Sequence, residues 1–232
     1  MQAVITGASR GMGKEIASHF AAAGYDLFLC SRGELALYQT LEELQNKFPD
    51  RKIYAQPTDL SNQQNAVAFA KWVLSIGKPD VLVNNAGQFI QGSISDEPDG
   101  TIEQLMNINL YSAYHLTRAL LPSMKEAGSG HIFNICSIAS LKAYPHGGSY
   151  GISKYALAGF SANLREELKT KGIKVTSVFP GATMSPSWEG SGVSPNRIMQ
   201  ADDIARMIVA AASLSPAAVV EEIVLRPQLG DL

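Results

Sequence analysis

Short apolar runs alternate with amphipathic helical periods along nearly the whole chain, and this alternation limits the possible folds more than any single motif. Runs at 3–6, 26–30, 52–55, 80–83, 131–136, 174–179 and 222–225 read as strands. Helical periods lie between them at 13–23, 35–48, 63–76, 101–127, 149–171 and 202–214. In the first helix Ile16, Ala17, Phe20 and Ala21 share one face. In the long fourth helix the stripe runs through Leu105, Leu116, Leu120 and Met124. Strands that are apolar on both faces and separated by helices must be covered on both sides, which is the property of a parallel sheet. Right-handed crossovers then wind helices onto both faces. The expected class is therefore α/β, a doubly wound, mainly parallel seven-stranded sheet with helices on both faces.

The chain has 232 residues, enough for one such unit, and no linker or repeat divides it, so a single domain over 1–232 is expected. A net charge of −2 argues against nucleic acid or an anionic membrane as partner. Cys30 and Cys136 sit in apolar runs and read as reduced core thiols. The four histidines are scattered, and no CxxC or HxxxH spacing occurs, so no metal centre is expected. Neither a leader peptide nor an apolar run of membrane-spanning length is visible, which gives the expectation of a cytoplasmic protein.

The first strand runs into Thr6-Gly7-Ala8-Ser9-Arg10-Gly11-Met12-Gly13, which opens the first helix. Glycines in such a turn let the backbone approach a pyrophosphate, and the helix N-terminus offers free N–H groups and positive potential. This is the dinucleotide-binding form of the doubly wound sheet, the Rossmann fold. It is not a P-loop, because Glu15 follows Gly13-Lys14. An acid at the tip of the second strand would select a cofactor without a 2′-phosphate. Here that tip carries Ser31 and Arg32, with Arg10 available from the glycine turn. A guanidinium pairs with a dianionic phosphate, so NADP(H) is favoured over NAD(H). Glu34 is the acid that opposes this reading.

Tyr150 and Lys154 are one helical turn apart on the same face. A tyrosine, ordinarily with a pKa near 10, serves as acid/base near neutrality only if its phenolate is stabilised, and a neighbouring ammonium does that. Alone the pair is weak, but it has company. Asp59-Leu60 follows the third strand, Asn84-Asn85-Ala86-Gly87 the fourth, Ser137 the fifth and Pro180-Gly181 the sixth, with Asn109 in the long helix. Ser137 precedes Tyr150 by 13 residues. In this order and spacing the chain resembles the short-chain dehydrogenase/reductase family, in its compact single-domain branch, from residue 4 to about 226.

The resemblance implies roles. Tyr150 would exchange the proton, Ser137 would hydrogen-bond the substrate oxygen, and Lys154 would lower the tyrosine pKa and bind the nicotinamide ribose. Asn109 would hold a water linking Lys154 to solvent, with Asn107 as the alternative. The cofactor site would be lined by Gly7, Ser9, Arg10, Gly11, Met12, Gly13, Ser31, Arg32, Asp59, Leu60, Asn84, Ala86, Gly87, Tyr150, Lys154, Pro180, Gly181 and Thr183. Two alternatives stay open: Asn84-Asn85 could mainly tie the sheet to the glycine turn, and Asp59 could simply precede a helix capped by Ser61.

Two positions depart from the pattern. Ser185 stands where many members carry threonine. The ending Ile223-Val224-Leu225-Arg226-Pro227-Gln228 lacks the V-D-G-G of the ketoacyl reductases. The substrate wall is expected from 88–96, 141–145 and a substrate loop at about 183–200, with Phe89, Ile90, Leu141, Tyr144, Met184 and Trp188, and His146 nearby. Such a wall suits an apolar or aromatic carbonyl compound, and Arg197 alone is too little for an anionic one. The expected function is hydride transfer between NADP(H) and a small carbonyl/alcohol substrate. The alternatives are ketoester reduction of the 3-oxoacyl-(acyl carrier protein) reductase type and a non-catalytic NADP-binding sensor. By the same resemblance the chain would form a homodimer or homotetramer.

Overall fold

The computed structural model describes residues 1–184 and 192–231. Seven strands form one sheet, β1 (Gln2–Thr6), β2 (Asp26–Ser31), β3 (Ile53–Pro57), β4 (Val81–Asn84), β5 (Gly130–Ile135), β6 (Ile173–Pro180) and β7 (Glu222–Leu225). The order is β3-β2-β1-β4-β5-β6-β7, and every pairing is parallel. Direction of growth reverses between β1 and β4, which opens a crevice at their carboxyl ends.

Strand alternation divides the core in two. Ala3, Ile5, Leu27 and Leu29 face α1 (Gly11–Ala22), α2 (Glu34–Lys47) and α7 (Ala201–Ala212), which supply Phe20, Leu37 and Ile208. Val4, Phe28, Leu82 and Ile132 face the other way, against Phe69 of α3 (Gln63–Ile76), Leu120 of α5 (Ser112–Ala127) and Leu164 of α6 (Gly148–Leu168). The expected doubly wound class is what forms.

Three local differences have physical causes. The long helix over 101–127 is not regular, because α4 (Thr101–Met106) passes into a π-helical turn at Asn107–Tyr111 before α5. Helix α3 is capped by Asn62, whose side chain accepts from the Gln64 and Asn65 amides, and not by Ser61. Ser61 instead donates its amide and hydroxyl to Asp59 at 3.0 and 2.7 Å. On the α1–α7 contact, Glu15, His19 and Asp202 bring ligand-type atoms within 4.8 Å of one another. The Asp202 carboxylate there already receives His19 Nε2 and Arg206 Nε, both at 2.7 Å. Among the described residues no helix is long and apolar enough to cross a membrane.

Candidate active site

The glycine turn is fixed by contacts that leave no room for side chains. A Cβ at Gly13 would overlap the Gly7 carbonyl, and Gly7 itself is left-handed at φ +64°. Thr6 Oγ1 accepts from the Asn85 and Ala86 amides at 2.9 and 2.8 Å, while Asn85 Nδ2 donates to the Thr6 carbonyl at 2.8 Å. The turn and the β4 end are thus one body. Helix α1 begins at Gly11 with Arg10 as an extended N-cap, no side-chain cap and no acid in its first turn. Its leading N–H groups and positive end therefore suit an anion. Among the described residues neither Arg10 nor Arg32 forms an ion pair, and both are exposed. Glu34 is the first residue of α2 and is also exposed. Ser31 Oγ donates to the Gly33 carbonyl at 3.4 Å, and the Ser9 carbonyl accepts from Thr40 Oγ1 at 3.0 Å. These donors fit a phosphorylated dinucleotide.

Not every residue assigned to the cofactor presents its side chain. Asn84 turns its side chain inward, which leaves its backbone alone for any ligand: its Nδ2 donates to Asn134 Oδ1 at 2.8 Å and Thr117 Oγ1 at 3.0 Å. Asn134 continues to Ser161 Oγ at 3.0 Å, so Asn84 anchors a buried polar network beneath the site. Leu60 belongs to the apolar core, which leaves its backbone alone for any ligand. Met12 packs on the opposite core cluster. Ala86 is partly exposed and Gly87 exposed. Pro180 ends β6, the Gly181 amide is held by the Leu225 carbonyl at 2.8 Å, and Thr183 Oγ1 donates to the Gly181 carbonyl at 2.9 Å.

The predicted triad converges at the carboxyl edge of β5. Ser137 follows that strand and caps the short 3₁₀ turn Ile138–Ser140, its Oγ accepting from the Ala139 amide at 3.1 Å. That bond leaves the serine proton free, and Ser137 lies near enough to the Tyr150 phenol to oppose the effect of its burial. Tyr150 and Lys154 come from the first two turns of α6. Lys154 Nζ donates to the Ile135 carbonyl at 2.8 Å and lies 5.9 Å from the centre of the tyrosine ring. The Asn109 side chain, 1% exposed in the π-helical turn, accepts from the Gln88 amide at 2.7 Å. It also donates to the Gln88 carbonyl at 3.0 Å and Ser153 Oγ at 2.9 Å. Both protons of its side-chain amide are therefore spent on protein partners, which leaves one lone pair of Oδ1 and the backbone for a water. Asn107, at the start of the same turn, is less buried.

Charge states also differ from expectation. Burial pushes the Tyr150 phenol up to about 12, with the Ser137 hydrogen bond pulling the other way. The same burial brings Lys154 down to about 8. Buried Cys136 is raised to about 12 by desolvation, so it remains a thiol.

Phe89 packs edge-on against Tyr150 with ring centres 4.8 Å apart, and stays 50% exposed. Leu141 and Tyr144 are also exposed, at 42% and 40%. An exposed apolar ring such as Phe89 against a phenol is what a substrate would cover. Arg197 turns away, donating to the Gly230 and Asp231 carbonyls at 2.9 and 3.0 Å. Ser185 and Trp188 lie outside the described residues. Sequence reasoning passed over Glu97, which accepts from the Ser149 amide at 2.8 Å at the start of α6. The signal for it was present: Gly147-Gly148 opens that helix without a side chain able to cap it.

A family model described as short chain dehydrogenase matches residues 1–192. The chain belongs to the short-chain dehydrogenase family. Among relatives of this short-chain dehydrogenase is a sepiapterin reductase of Chlorobaculum tepidum, 34% identical over 99% of this chain and 97% of that one. The "Dehydrogenase/reductase SDR family member 7B" of Danio rerio is 39% identical over 77% of this chain, but the match spans only 59% of that protein. An alcohol dehydrogenase from the archaeon Thermococcus sibiricus, solved with 5-hydroxy-NADP, superposes with a TM-score of 0.91. It is 28% identical, and the match covers 100% of this chain and 98% of that one.

Proposed function

We propose that this short-chain dehydrogenase is an NADPH-dependent reductase of small apolar or aromatic carbonyl compounds, with Tyr150 as the proton donor. The observation that carries this reading is the gathering of Ser137, Lys154 and an exposed Phe89 around the Tyr150 ring. NADP is favoured by Arg10 and Arg32, exposed and without an ion pair among the described residues, and by the ligand of the Thermococcus sibiricus relative. Gly7, Ser9, Gly11 and Gly13 would cradle the pyrophosphate, with Ser31, Arg10 and Arg32 on the 2′-phosphate and Asp59, Ala86 and Gly87 along the adenosine and ribose.

Bound NADPH supplies the hydride that reduces the carbonyl carbon. The protein's part is to handle the proton and the developing negative charge. Tyr150 gives its phenolic proton to the carbonyl oxygen as charge builds there, which leaves an alcohol and a phenolate. Ser137 donates to the same oxygen and stabilises the alkoxide character of the transition state. A phenol raised to about 12 is fully protonated at neutral pH, which suits reduction over oxidation. Lys154, brought down to about 8, can return a proton to the phenolate and recover its own from solvent. A homodimer or homotetramer in the cytoplasm is part of this reading, and light scattering tests the assembly.

The experiment is turnover of NADPH with 1-phenyl-1,2-propanedione, 9,10-phenanthrenequinone and ethyl acetoacetate by wild type and Tyr150→Phe. The variant should lose at least about 100-fold in kcat while binding NADPH within about twofold of wild type, since only the acid is removed. Wild-type turnover by Tyr150→Phe would sink the mechanism.

A further inference from the structure

Helix α6 carries both Tyr150 and Lys154, yet its own sequence cannot cap it, because Gly147 stands at the N-cap and Gly148 at the first helical position. The cap comes from 52 residues upstream. Glu97 Oε1 accepts from the Ser149 amide at 2.8 Å, and Glu97 Oε2 accepts from the Ser149 hydroxyl. Gly148 is left-handed at φ +35°, and a Cβ there would overlap the Glu97 carboxylate and the Gly92 carbonyl. Gly148 therefore leaves the space that the carboxylate fills.

The same loop touches this turn at other points. The Gly92 amide donates to the His146 carbonyl at 3.2 Å, and Ser93 Oγ meets His146 Nδ1 at 2.9 Å. Three residues from Gly92, Phe89 packs on the Tyr150 ring. The Gln88 backbone, one residue further back, is gripped from both sides by Asn109. Segment 88–97 is thus fixed at one end by Asn109 and at the other by the start of α6, with the tyrosine between.

We infer that Glu97 is a positioning residue for Tyr150, fixing the first turn of α6 and the facing Phe89 wall as one unit. This rests on the proton-donor reading of Tyr150. Glu97 itself touches neither the phenol nor the triad, so its effect is geometric. Catalytic proton transfer is sensitive to misplacement on the scale of 1 Å, which can cost about 100-fold.

The test uses the full chain with NADPH and 9,10-phenanthrenequinone, comparing Glu97→Ala, Glu97→Gln, Ser149→Ala and Tyr150→Phe. Glu97→Ala should lose about tenfold or more in kcat with NADPH affinity changed less than about twofold. Glu97→Gln, whose carbonyl still accepts from the Ser149 amide, should stay within about threefold of wild type. Hydrogen exchange at residues 149–151 should accelerate in Glu97→Ala and not in Glu97→Gln, a readout that needs no turnover. Ser149→Ala tests the hydroxyl contact alone, should any Glu97 variant misfold, and should lose activity without loss of NADPH binding. Wild-type kcat and unchanged exchange in Glu97→Ala, with Tyr150→Phe inactive, would overturn the inference alone. Full activity in Tyr150→Phe would overturn the proton-donor reading and this inference with it.

Discussion

Two ionisable groups of the site sit away from the charge balance they have in water, and burial is the leading cause of both. Lys154 falls from 10.5 to about 8, so between those values the unfolded chain carries a proton that the folded chain has released. Stability must then rise with pH across that window, while below about pH 8 the full penalty of a buried ammonium is felt. Relative to Lys154→Met, the wild type should gain roughly 2 kcal/mol in urea unfolding free energy between pH 7.5 and 9.5. A flat or falling difference would mean that the lysine is not penalised by its surroundings. The meeting of Ser137, Tyr150 and Lys154 at one edge of the sheet was legible because it is set by spacing along the chain. The direction of the Asn84 side chain was not legible. A strand-end residue presents one of two faces, and only the partners Asn134 and Thr117, each far away in sequence, decide which.

At the level of elements, the helical and strand periods predicted every strand and nearly every helix, since burial on one face leaves a periodic trace. What escaped notice was what leaves no such trace. The π-helical turn at Asn107–Tyr111 adds one residue to a turn without altering the apolar stripe, and it is this turn that buries Asn109 under Gln88. The start of α1 was read two residues late because glycines resemble helix breakers, whereas Gly11 and Gly13 are helical there. Gly13→Ala would force the turn apart at the Gly7 carbonyl, destabilising the fold by about 1–3 kcal/mol and weakening NADPH binding at least tenfold. At Gly159 of α6 a Cβ meets nothing within 4 Å, so Gly159→Ala should stabilise by about 0.5–1 kcal/mol. Urea melts of both variants, with nicotinamide fluorescence for binding, check the contrast. Two destabilised variants of similar size would show that the turn is not what is special.

Across the whole molecule, the carboxyl edge of the sheet gathers the glycine turn, the β2 tip and the triad from segments spread over 7–183, so a dinucleotide lying there would hold the two halves of the sheet together. NADPH at about 100 times its Kd should add about 2.7 kcal/mol, or about 5–10 °C in melting temperature for a chain of this length. NADH at the same concentration should give a smaller shift, and equal shifts would remove Arg10 and Arg32 as selectors. The central strand has a further consequence, one of timing. Ala3 is paired with Leu27 on one side but with Val81 on the other. On a ribosome adding about 5–20 residues per second, β1 waits several seconds for its second neighbour. During that wait it is a ready apolar edge, open to any other strand nearby. The order that places the crevice at the middle of the sheet also makes the oldest of the seven strands the one that waits longest for its second neighbour, and that is the interval in which a nascent-chain chaperone has most to protect.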